Sequence, residues 1–151
     1  MPLAETNCDH NVICQNLVIA LRSQLSGKAR QIFMGSVKLR LRIANEDMFY
    51  YPDVIVASDR RDTDEYCVSF PQVLIEVLSP EIEHFDRREK FSSYTQIESL
   101  EEYILVAQDQ TEVTVFRRAT NWRPEVANQP SQQLRIESFG FAVPLSDIYQ
   151  L

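Results

Sequence analysis

The amino-acid sequence predicts an α/β chain, a mixed β-sheet with helices packed on it. Three observations carry that reading: an N-terminal segment with helical periodicity, a strictly alternating segment after it, and short apolar runs separated by one further helix. In "NVICQNLVIALRSQL", Ile13, Leu17, Leu21 and Leu25 stand four apart and mark one face of an amphipathic helix, with Asn11 as its N-cap and Gly27 as its stop. "SVKLRLRIAN" puts Val37, Leu39, Leu41 and Ile43 on one side and Lys38, Arg40 and Arg42 on the other, a half-exposed strand. "ANED" turns the chain, and "MFYYPDVIVAS" returns as one more deeply buried strand. The charged stretch 59–66 reads as a loop before an apolar strand at 72–79. "DRREKFSSYTQI" starts with Asp86 and has Glu89 three residues on, a capping-box pattern that predicts a helix from about Arg87 to Ile97. "EEYILVAQ" and "EVTVFRRA" form a hairpin around "DQT", and the tail reads as a strand, a turn and a final helical turn. The expected order is α-β-β-β-α-β-β-β.

At 151 residues the chain is read as a single domain, 1–151, without repeats or low-complexity tracts. No apolar run has the length of a membrane span and "MPLAETNCDH" is no signal peptide, so no membrane partner is expected and the cytoplasm is the default location. Three cysteines, Cys8, Cys14 and Cys67, suggest no disulfide framework. A net charge of −7 disfavours loose electrostatic binding to nucleic acid but leaves room for a local basic face. It is also what a group of metal-binding carboxylates would produce.

The chemically informative stretch is "VLIEVLSP", because Glu76 lies among Val73, Leu74, Ile75, Val77 and Leu78. An ionised carboxylate in an apolar interior costs several kcal/mol unless it is compensated. Asp53 follows Pro52 at the head of a neighbouring apolar strand, and Asp86, Lys90 and Tyr94 share a face of the following helix. Two acids from adjacent strands facing one way make an oxygen site for a hard cation, and a lysine beside them can orient an attacking water. The competing reading is structural: a salt bridge from Glu76 to Arg87 or Lys90, with Asp53 only a turn residue at a strand entry.

The ordered stretches "YYPDVIVAS", "VLIEVLSP", "FDRREKFSSYTQIESLEEYILVAQDQTEVTVFRR" and "GFAVPLSDIY" resemble the Uma-two-type restriction endonuclease family, within the PD-(D/E)XK nuclease superfamily. The resemblance runs from about His10 to the end. It implies a restriction-endonuclease-like mixed sheet flanked by helices, in which Asp53, Glu76 and the backbone carbonyl of Val77 hold magnesium or manganese. The superfamily's usual lysine position, two residues after the acid, is Leu78 here, and the resemblance assigns that role to Lys90 on the following helix. Family members usually begin with a further segment containing a Glu-Leu-Ile-Asp-Gly-Glu-like stretch, and the expectation here is a domain without it.

The first functional expectation is therefore a magnesium-dependent DNA endonuclease with Asp53, Glu76 and Lys90 as catalytic residues. Lys38, Arg40, Arg42, Arg87 and Arg88 are the expected phosphate contacts. The alternative is a catalytically impaired nuclease-fold remnant acting as a binding or assembly module, and a homodimer is expected from the resemblance and from sheet-edge exposure. Cys8, His10 and Cys14 offer three soft ligands at Cys-x-His-x3-Cys spacing but lack a fourth at fitting distance, since His84 is far along the chain. Cys14 reads more simply as part of the helix's apolar face. The acids Asp59, Asp62, Asp64 and Glu65 read as a solvated turn, and Trp122 as a lid over the C-terminal hairpin. Three scattered glycines allow no phosphate-cradling loop.

Overall fold

The computed structural model describes residues 7–25, 29–79 and 84–151, apart from the side chains of residues 84–86. Helix α1 spans Cys8–Leu25 and buries Ile13, Cys14, Leu17, Leu21 and Leu25 along one stripe. Its first turn is capped by Asn7, whose Oδ1 accepts the His10 amide hydrogen bond at 2.9 Å. The expected cap at Asn11 is thus one turn late: Asn11 is inside the helix and its side chain bonds that of Gln15 instead. Gly27, the expected stop, lies outside the described residues.

Strands β1 (Gln31–Met34), β2 (Lys38–Ile43) and β3 (Glu46–Tyr50) follow. The β2–β3 hairpin closes on the pair Ile43 and Glu46, with Ala44 and Asn45 at φ 52° and 64°. Two left-handed residues give the turn a twist that suits a two-residue hairpin. The expected continuous strand through "MFYYPDVIVAS" is instead two strands in two different sheets. β3 pairs with β2, whereas β4 (Val54–Ala57) pairs with β1 and with β6 (Pro71–Leu78). Buried Pro52 stands at the break, having no N–H to give a ladder and a fixed φ.

The two-residue strand β5 (Cys67–Val68) runs parallel to β2. Helix α2 (His84–Tyr94) then leads from β6 to its parallel neighbour β7 (Glu102–Ala107). Asp86 is within this helix rather than capping it, and its side chain lies outside the described residues. The helix ends three residues earlier than expected. The Thr95 hydroxyl donates to the Phe91 carbonyl at 2.9 Å and the Gln96 side-chain amide donates to the Ser92 carbonyl at 3.0 Å, so side chains satisfy carbonyls at the helix end. β8 (Val113–Arg117) completes the expected hairpin with β7. β9 (Pro124–Ala127), β10 (Gln133–Ile136), β11 (Phe141–Pro144) and the short helix α3 (Leu145–Ile148) complete the chain.

Six strands form the central sheet in the order β1-β4-β6-β7-β8-β9, parallel only between β6 and β7. On one face Val54, Val56, Val73, Ile75, Ile104 and Val106 pack against α1, α3 and the β10–β11 hairpin. On the other, Ile55, Leu74 and Tyr103 pack against Leu39 and Leu41 of the three-stranded β3-β2-β5 sheet and against Tyr94 of α2. The two ends of the described chain meet, since Asn16 Nδ2 bonds the Ile148 and Gln150 carbonyls at 2.9 and 3.0 Å.

A second buried acid holds the tail in place. Glu102 accepts from Arg117 Nε at 3.1 Å and from the Glu137 and Ser138 amides at 2.9 and 3.0 Å. Arg117 also reaches Glu125 and the Arg135 carbonyl, so the pair ties β7 and β8 to β9 and to the chain around β10. Replacing one member of a buried ion pair strands the other's charge, at a cost of about 3–5 kcal/mol. Arg117→Met should lose about that much in urea unfolding monitored by circular dichroism.

Candidate metal centre

Asp53 and Glu76 are brought together by strand register. β4 and β6 pair Val54 with Ile75, so Asp53 stands one step further along, beside Glu76. Glu76 is 4% exposed and its carboxylate has two partners from α2: Lys90 Nζ at 2.9 Å and the Tyr94 hydroxyl at 2.9 Å. These two side chains are one helical turn apart, so one helix face delivers both. Of the two structural partners weighed for Glu76, Lys90 is the one in contact. Arg87 instead has a buried Nε without a hydrogen-bond partner among the described residues.

Burial pushes the Glu76 carboxyl above its ordinary pKa, against the opposing pull of Lys90 and Tyr94, and Asp53 adds to the rise. Tyr94 is driven far upward, first by its own burial and then by the Glu76 charge, so it serves as a hydrogen-bond donor. The ring is held edge-on between Tyr50 and Tyr103, with centroids 5.3 and 5.1 Å away. Tyr50 in turn bonds Ser93 at 3.0 Å. An aromatic chain through β3, α2 and β7 therefore fixes the donor that fixes Glu76.

Asp53 is oriented by two groups. Its Oδ2 accepts the Val77 amide at 2.8 Å and its Oδ1 lies 3.2 Å from His10 Nε2. Val77 thus contributes its amide to the contacts seen here. His10 also approaches Cys14, with Nδ1 3.8 Å from Sγ. The hydrogen bonds to Asp53 and Cys14 raise the imidazole to about 10, with burial opposing them. The sequence spacing groups His10 with both Cys8 and Cys14, ahead of a helix expected to be capped at Asn11, and gives no sign of its pairing with Asp53. The missed signal was Asn7, which caps the earlier turn and brings His10 and Cys14 onto one face four residues apart. Cys8 is exposed and does not join that cluster.

The expected phosphate contacts are spread over two elements. Arg40 Nε bonds Ser69 Oγ at 3.1 Å, Arg42 lies 3.9 Å from Asp47, and Lys38 sits over the Phe49 ring at 5.8 Å, all on the β2–β3 side. Arg87 and Arg88 are on α2, half-buried and exposed respectively. Asp62 is a connector rather than a solvated acid, its carboxylate accepting from the Ser69 and Phe70 amides at 2.7 and 3.1 Å. Trp122, at φ 61°, packs at the edge of the core on the α2 side of the central sheet, with Arg118 5.1 Å from its ring, and not over the C-terminal hairpin.

The donor chemistry of Asp53 and Glu76 suits a hard divalent cation. Both are carboxylates, and burial disfavours the ionised form of Glu76. Comparisons with known proteins give the family and the fold. The sequence profile of the Uma2 family, described as "Putative restriction endonuclease", matches residues 3–146. The chain belongs to this family. Two relatives come from Synechocystis and both are named only as uncharacterized proteins. One, sll1609, is 32% identical over 111 residues, which is 72% of this chain and 62% of that protein. The other, slr1290, is 30% identical over 144 residues, covering 94% and 75%. The chain thus spans less than two thirds of sll1609. A crystal structure described as a "putative nuclease belonging to DUF820" from Anabaena variabilis superposes with a TM-score of 0.79 over 99% of this chain and 84% of that one, at 17% identity. The expected family and mixed-sheet fold class are therefore borne out. Among the described residues no helix is long and apolar enough to cross a membrane.

Two outcomes follow from the electrostatics. In EDTA, Glu76→Gln should melt at or above wild type, because the amide removes a desolvated charge, its oxygen can still accept from Tyr94, and the Lys90 side chain, 23% exposed, can turn to water. A variant melting well below wild type would make Glu76 a structural ion-pair residue. The folded chain holds the His10 proton more tightly than the unfolded one. Its contribution to stability is therefore full below pH 6.5 and is lost as pH rises towards about 10. His10→Ala should flatten that decline in urea-denaturation curves taken across this range.

Proposed function

We propose that the chain is a divalent-metal-dependent DNA endonuclease. The observation that carries this reading is a buried carboxylate, Glu76, held by a lysine and a tyrosine directly across the β4–β6 register from Asp53, in a member of a family described as "Putative restriction endonuclease". Asp53 and Glu76 would hold magnesium or manganese, with the Val77 carbonyl as a further ligand. When bound, the cation supplies a Lewis acid that lowers the pKa of water and offsets charge on the scissile phosphate. Lys90 has its ammonium at Glu76, from where it orients the attacking water and stabilises the charge that builds on phosphorus oxygens. Tyr94 keeps Glu76 directed at that point, and the Val77 amide holds Asp53 beside it through Oδ2. Lys38, Arg40, Arg42, Arg87 and Arg88 are the groups for phosphate contacts along the duplex.

A second reading has its own support: a nuclease fold that serves as a binding or assembly module, as a homodimer. Both carboxylates already have cationic partners, His10 on Asp53 and Lys90 on Glu76, so the site is internally neutralised without a metal. Nicking of supercoiled plasmid with magnesium or manganese separates the two. Under the first reading Asp53→Ala and Glu76→Ala abolish nicking with the fold intact, and Lys90→Ala lowers it by about two orders of magnitude. No metal-dependent nicking, together with no heat of magnesium or manganese binding, would select the second.

A further inference from the structure

We propose that His10, Cys14 and Asp53 form a second cation site, selective for a borderline transition dication of the zinc or cobalt type, which shares Asp53 with the carboxylate pair. One ring nitrogen of His10, the Cys14 sulfur and one Asp53 oxygen lie within 4.8 Å of one another. In a tetrahedral site with bonds of about 2.0–2.3 Å, ligand atoms stand about 3.3–3.6 Å apart. His10 faces Cys14 with Nδ1 and Asp53 with Nε2, so closing around an ion asks the ring to rotate until one nitrogen serves both and to release its proton. Two of the ligands come from one helix face at i and i+4, where the backbone fixes their spacing. The third is held in place by the Val77 amide on its other oxygen, which leaves Oδ1 towards the helix.

The donor set decides the metal class. Magnesium takes oxygen ligands and keeps its waters, whereas imidazole and thiolate favour zinc and its neighbours. Cys14 is 5% exposed, and the His10 and Asp53 side chains are 18% and 24% exposed, so the cluster is enclosed on the sulfur side and open at the carboxylate. Three protein ligands leave a fourth position there for water or another donor. The site does not depend on nuclease activity. An ion in it would draw on the same Asp53 carboxylate as a cation at Glu76, so the two cations compete or bridge.

The test is titration of the full, reduced, metal-free chain with cobalt(II), followed by absorbance. Wild type should develop visible ligand-field bands of a tetrahedral ion and a near-ultraviolet thiolate-to-cobalt charge-transfer band. Cys14→Ser should lose the charge-transfer band, and Cys14→Ala with it, while circular dichroism reports the fold of each. His10→Gln should weaken cobalt binding at least about tenfold. Cys8→Ser and Glu76→Gln should keep the charge-transfer band, the latter even if it abolishes nicking, which separates this site from the nuclease reading. The proposal is overturned if wild type shows no thiolate band, if the band survives in Cys14→Ser but vanishes in Cys8→Ser, or if Glu76→Gln alone removes cobalt binding.

Discussion

The constraint on which the structure turns is Pro52. A residue without an amide proton cannot continue a ladder, and the chain uses that interruption to pass from one sheet to another. Before it, β3 is the outer strand of the small sheet; after it, β4 is buried on both faces in the large one. The crossing leaves Asp53 just past the proline, outside either ladder, with its side chain free to meet α1 on one side and the Val77 amide on the other. A continuous strand would have spent that residue on regular pairing. The layered architecture and the exposed end of the site share this cause.

Glu76 shows the opposite strategy, a polar group kept deep inside a strand. Its register places it beside Leu105 of β7, and its compensation arrives from a helix that the parallel β6–β7 pair requires in any case. A parallel pair needs a crossover. Here the crossover helix brings Lys90 and Tyr94 over the strand it has just left. The topology that joins β6 to β7 thus also supplies the partners of the buried carboxylate. The net result remains a raised carboxyl, so Lys90 and Tyr94 soften the burial without cancelling it.

Much of this was legible from residue pattern. The alternation around Lys38, Arg40 and Arg42, the "ANED" turn, the Glu76 anomaly and the Lys90–Tyr94 helix face all lie in local order, and the structure keeps them. Features decided at a distance were not legible. β1 and β5 are too short to show periodicity and exist because β4 and β2 offer them edges. β9 follows two left-handed residues, Asn121 and Trp122, in a polar stretch without strand-like alternation. The Glu102–Arg117 pair joins residues whose proximity depends on hairpin register. His10 was misjudged for a local reason, since two asparagines, Asn7 and Asn11, each satisfy the rule for a helix cap, and only packing chooses the earlier.

The bonds from Asn16 to the Ile148 and Gln150 carbonyls bear on the order in which the molecule can assemble. They join positions up to 134 residues apart, and α1 and the last helical turn share one core on the same face of the central sheet. Contacts of such long sequence separation form late and slow the search for the native state. On the ribosome, α1 emerges before every strand of the central sheet, so it can seat on β1 and β6 while its tie to the tail has still to form. His10 travels on α1, and its partner Asp53 is synthesised long before Ile148, so the His10–Asp53 contact does not wait for the tie between Asn16 and the tail.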